Sequence, residues 1–182
     1  PAIWFHTAYS GSFVFDFAVR ARVGGLNLSE FLMNETPLIA RAAFERADLT
    51  SILLRLACSS PWFAPEWLAL GRRGEPCGIS GLPAPERLRL RCVLDAVIAA
   101  LYGLDIADLR WILRDCDHPR ERLADPKFCR DLDPKGFWRV DRGLDPELRH
   151  TVLTLVAFDE LRRYSSIDAF LAAHAGAGWQ LP

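Results

Sequence analysis

Residues 10–31 read SGSFVFDFAVRARVGGLNLSEF. Small polar residues lead into an apolar-rich run of Phe13, Val14, Phe15, Phe17, Ala18 and Val19. Two arginines, Arg20 and Arg22, and the pair Gly24-Gly25 follow. Phe13, Phe17 and either Arg20 or Ala21 fall at helical spacing, so the pattern predicts a helix capped by Ser12 and ended by Gly24. Asn27 and Ser29 then open a second short apolar piece. Taken by its residues, this is a core helix with a glycine stop, because glycine reaches positive φ without strain.

Working outward, helical periodicity recurs. Residues 1–9, PAIWFHTAY, are aromatic and read as a strand packed against other parts of a longer chain. Residues 49–58, LTSILLRLAC, predict a short helix capped by Asp48 or Thr50. Pro61 suits a first helical turn, and Trp62, Phe63, Trp67, Leu68 and Leu70 follow it as core fillers or base-stacking aromatics. The Gly- and Pro-rich residues 71–85, with Arg72-Arg73, read as a loop. Residues 86–102 form the strongest helical pattern, with Leu90, Leu94, Val97 and Leu101 on one stripe and Arg87, Arg91 and Asp95 opposite. Gly103 stops it, and Asp105 caps a second helix to about Leu113, making a helical hairpin. Residues 114–145 are charged, Pro-punctuated and aperiodic, and contain an echo, DPKFCR and DPKGFWR, at Asp125 and Asp133. Asp145-Pro146-Glu147 predicts the start of a helix carried by Leu148, Val152, Leu155, Val156, Phe158 and Leu161 to about Tyr164, and a last helix covers residues 167–174. The expected fold is mainly α: a helical domain with short irregular or β pieces near the N-terminus and long loops. Its expected organisation is residues 1–70, a Gly/Pro loop at 71–85, and a C-terminal helical domain at 86–182.

With 182 residues, 51% of them apolar, the chain can build one core or two compact subdomains. The net charge of −1 gives no bulk attraction to nucleic acid, so any DNA-binding face must be local. Lys127 and Lys135 are the only lysines in an arginine-rich set of cations. Five cysteines at irregular spacing fit no disulfide framework and suit a reducing cytosol. Cys116, His118 and Cys129 lack the paired spacing of a metal site. No apolar run reaches the ~20 residues of a membrane span, and no secretory signal is visible. The sequence opens on Pro1 with Met33 its only methionine, so a piece of a longer protein is expected.

Three stretches carry a family resemblance. SFVFDFAVRARVGGLNLSEF resembles the end of the target-recognition region of type IIG-like, adenine-specific DNA methyltransferases of bacterial restriction-modification and phage-defence systems. Residues 91–113, RCVLDAVIAALYGLDIADLRWIL, resemble that family's C-terminal helical unit, in which an apolar helix runs into Tyr-Gly-Leu and a second helix. Residues 135–161, KGFWRVDRGLDPELRHTVLTLVAFDEL, resemble the C-terminus of some large members. One departure is Glu35-Thr36-Pro37-Leu38, where the family has a Leu-Pro pair.

The resemblance implies a cytoplasmic, non-catalytic C-terminal part of such an enzyme, helping to recognise or position double-stranded DNA. Arg20, Arg22, Gly24, Gly25 and Asn27 would be its DNA-binding residues. S-adenosylmethionine and the chemistry would belong to the parent's N-terminal methyltransferase region, with or without an endonuclease. Consistent with this, the chain has no glycine-rich methyl-donor turn, no Asn/Asp-Pro-Pro-aromatic adenine pocket and no nucleophile–histidine layout. No catalytic residue, cofactor or metal is therefore assigned to it. The alternative is a helical scaffold or interaction module of a phage-defence protein that never touches DNA.

Overall fold

The computed structural model describes residues 2–25, 27–69 and 82–174. Among them are eleven α-helices and no strand. They are α1 (Ala2–Ser10), α2 (Phe13–Arg22), α3 (Glu30–Glu35), α4 (Arg41–Arg46), α5 (Thr50–Ala57), α6 (Ala64–Ala69), α7 (Ala84–Leu101), α8 (Ile106–Ile112), α9 (Arg120–Ala124), α10 (His150–Leu161) and α11 (Ile167–His174). Short 3₁₀ turns cover Pro61–Phe63, Phe128–Arg130, Phe137–Arg139 and Pro146–Leu148. The mainly α expectation holds. The expected Gly/Pro loop falls mostly on residues 70–81, outside the described residues.

The N-terminal segment is a helix, not a strand. Phe5, Ala8 and Tyr9 are buried at helical spacing, and the Phe5 ring packs 4.8 Å from Tyr9 and 5.2 Å from Phe44. Aromatics crowded at positions three and four apart bury together only if the backbone coils.

α7 is the axis of the fold. α1, α2, α5, α10 and α11 all pack on it, so residues all round it are buried. That breaks up the expected charged stripe opposite the apolar one. Arg91 is exposed, but Asp95 is only 5% exposed and turns inward, and Arg87 gives a hydrogen bond to the Leu56 carbonyl at 3.1 Å. The partner packed most extensively on α7 is α10. Its buried positions are His150, Thr151, Thr154, Ala157, Phe158 and Leu161, and the Cys92 thiol of α7 reaches the His150 carbonyl at 3.9 Å. Small side chains on both helices let the backbones approach closely. Val156, expected in the core, is instead 54% exposed. One core cluster runs from Phe5 to Phe170 and draws on both sides of the expected 71–85 boundary.

The helix ends follow local chemistry with three corrections. Ser12 caps α2 as expected, its hydroxyl accepting the Phe15 N–H at 3.3 Å. Gly103 takes φ +75° after α7, and Asp105 and Asp108 form a reciprocal capping box on α8. At α5, however, Leu49 holds the N-cap position with no side-chain cap. α2 ends at Arg22 with Val23 extended, and neither Gly24 nor Gly25 has a positive φ. The helix expected to open at Asp145 begins instead as the turn Pro146–Leu148 and breaks at Arg149 before α10 starts.

Arg149 explains that break. It is fully buried, and its guanidinium donates to the carbonyls of Leu144 (2.9 and 2.7 Å), Cys116 (2.8 Å), His118 (2.6 Å) and Arg142 (3.5 Å). Extended backbone at Arg149 (ψ 138°) aims the side chain into the aperiodic segment rather than along α10. One side chain thus closes two loops that have no ladder of their own.

Candidate nucleic-acid interface

The organising helix α2 is held at both ends by charge of the sign its dipole asks for. At the N-terminus, Asp95 from α7 accepts the Phe13 N–H at 3.0 Å. The other oxygen of Asp95 lies 2.8 Å from His150 Nε2 of α10, a close polar approach without hydrogen-bond alignment. The Phe13 ring completes the contact, 4.6 Å from the His150 ring and 5.1 Å from Phe137. Residues 13, 95 and 150 thus meet at one carboxylate, and each comes from a different one of the three stretches quoted above. His150 is 2% exposed, so the pair acts as a buried joint with no access for substrate.

At the C-terminus of α2 the arrangement is open to water. Lys135 Nζ donates to the Arg20 carbonyl at 2.8 Å and the Val23 carbonyl at 2.9 Å, taking acceptors that the helix leaves free. Arg20 answers with a hydrogen bond to the Lys135 carbonyl at 3.1 Å. Its guanidinium also pairs with Asp16 at 2.7 Å and stacks 4.3 Å over the Phe137 ring. Lys135 is presented by an Asp-Pro-Lys turn in which Asp133 Oδ1 accepts the Lys135 N–H at 2.8 Å. The echo at Asp125 makes the same turn, with the Lys127 N–H at 2.8 Å from Asp125.

The turn gathers further cations. Asp133 pairs with Arg114, whose guanidinium also lies 4.3 Å over the Trp111 ring. Arg139 donates to the Pro134 carbonyl at 2.5 Å and stacks 4.5 Å over Trp138, which in turn donates to the Asp133 carbonyl at 2.7 Å. Gly136 is required here: a Cβ would sit 2.8 Å from the Trp138 ring. The side chains tied together are four cations, Arg20, Arg114, Lys135 and Arg139, against two carboxylates, Asp16 and Asp133. This is a local positive face on a chain whose net charge is −1.

Of the residues the sequence singled out, Arg20 is half-buried in the clasp. Arg22 is exposed, with one hydrogen bond to the Ala18 carbonyl at 3.2 Å. Gly24, Gly25 and Asn27 are exposed on the segment leaving α2, and a Cβ on either glycine would meet nothing within 4 Å. Sequence reasoning missed Trp111, Arg114, Lys135 and Arg139. The available signal was Lys135 itself, one of two lysines, each in an Asp-Pro-Lys string. Among the described residues no group of His, Cys, Asp and Glu could hold a metal ion, and no helix is long and apolar enough to cross a membrane. No protein-family model, curated protein or solved structure matches the chain.

Proposed function

We propose that this chain is a non-catalytic helical part of a bacterial, type IIG-like DNA adenine methyltransferase, and that its basic face helps to hold duplex DNA for that enzyme. The observation that carries the reading is the surplus of cations gathered on one face of a near-neutral chain, in guanidinium and ammonium geometries suited to phosphate. The convergence of the three family-like stretches on Asp95 supports treating them as one unit. Arg22 and Arg139 contact phosphate, Arg20 and Lys135 hold α2 in place, and Gly24, Gly25 and Asn27 pass close to the duplex. Methyl donor and target adenine belong to the parent's N-terminal region.

The test is a salt titration of duplex binding by the parent polypeptide with Arg22→Ala and Arg139→Ala. Each substitution should weaken binding at all sequences and reduce the slope of log affinity against log salt by about one. An unchanged slope for both removes this face from the DNA.

A second reading, a helical interaction module, is favoured by a separate patch. Trp62 is 89% exposed and Leu68 75% exposed on Pro61–Phe63 and α6. If Trp62→Ala and Leu68→Ala disrupt assembly with the methyltransferase region while DNA affinity of the parent never depends on the basic face, that reading replaces the first.

A further inference from the structure

At the rim of the basic face, Trp111 lies in the last turn of α8 with 63% of its surface exposed. The Arg114 guanidinium stacks on its ring at 4.3 Å and is itself fixed by a hydrogen bond to the Trp111 carbonyl at 2.9 Å and by the pair with Asp133. A large apolar ring, backed by a guanidinium and left in water beside a cation surplus, matches the pairing that binds unstacked bases: aromatic face for the base, cations for its phosphates. Trp138, the other indole of this face, is 2% exposed and has no ring surface to offer. Trp62 is more exposed, but no cation among the described residues lies over it.

We propose that the Trp111 indole, backed by Arg114, is a stacking platform for an unpaired nucleobase of DNA bound along the basic face. This rests on the DNA-holding reading above and adds the chemical class that the rim accepts. The platform distinguishes continuous duplex, whose bases stack on each other, from duplex with a base displaced from the stack.

The full chain is titrated with two oligonucleotide duplexes, one fully paired and one carrying a single bulged adenine. Trp111→Ala should weaken binding of the bulged duplex about tenfold and leave the paired duplex within about twofold. Trp111→Phe should recover most of the loss, because a phenyl face still stacks, and Trp62→Ala should change neither. Trp111→Ala with no selective loss on the bulged duplex overturns the platform, as does equal loss on both. A wild-type chain that binds neither duplex in a salt-dependent way overturns the DNA-holding reading itself, a result distinct from loss of selectivity alone.

Discussion

The two ends of α2 use one chemistry in two settings. At the N-terminus a carboxylate takes a backbone N–H in a site closed to water, where Asp95 is 5% exposed. At the C-terminus an ammonium takes two backbone carbonyls in a site open to water. Water sets the value of each bond. A buried group deprived of its partner cannot turn to solvent and bears its full desolvation cost, whereas an exposed one rehydrates. The closed end therefore holds the fold, and the open end is free to carry an interface.

Substitutions at the buried side should have the largest effects. Arg149→Ala strands the carbonyls of Cys116, His118 and Leu144 in the interior, and should cost about 3 kcal/mol or more in urea unfolding. Asp95→Ala leaves the Phe13 N–H and His150 without their carboxylate, and should cost about 2–4 kcal/mol. Lys135→Ala at the open end should cost about 1 kcal/mol or less, since the Arg20 and Val23 carbonyls can take water. If Lys135→Ala matches Asp95→Ala, the contrast between the ends is wrong. Arg22→Ala should leave stability within about 0.5 kcal/mol while reducing DNA binding by the parent.

The thiols sharpen the same contrast through pH. Burial pushes Cys116 up from its ordinary 9.0 to about 11, and Cys92 up to about 12. These thiols stay protonated in the fold after their unfolded counterparts ionise. Their contribution to stability is therefore complete below pH 9 and falls as pH rises from there through 11. Urea midpoints should drop between pH 9 and 10.5, and Cys116→Ala should flatten part of that drop. A flat wild-type profile would mean that water reaches the interior of the α7–α10 pair.

Features that depend on neighbours within a few residues could be read from local pattern. The Ser12 cap, the Gly103 turn and the Asp105 cap were legible because their partners lie within one turn of chain. So was the mainly α class, since periodicity repeats many times and survives a few misread positions. Which polar residues turn inward was set by long-range packing. Asp95 read as a surface charge paired with Arg91, and Arg149 as one arginine among many, because their partners lie 82 and about 30 residues away. The candidate site divided the same way. Arg20 and Arg22 could be found on α2, but the face beside them needs the turn of Lys135, which is brought across the chain by bonds to backbone carbonyls and carries Asp133, the partner of Arg114. Backbone acceptors are identical at every residue, so no side-chain pattern records where such a bond will land.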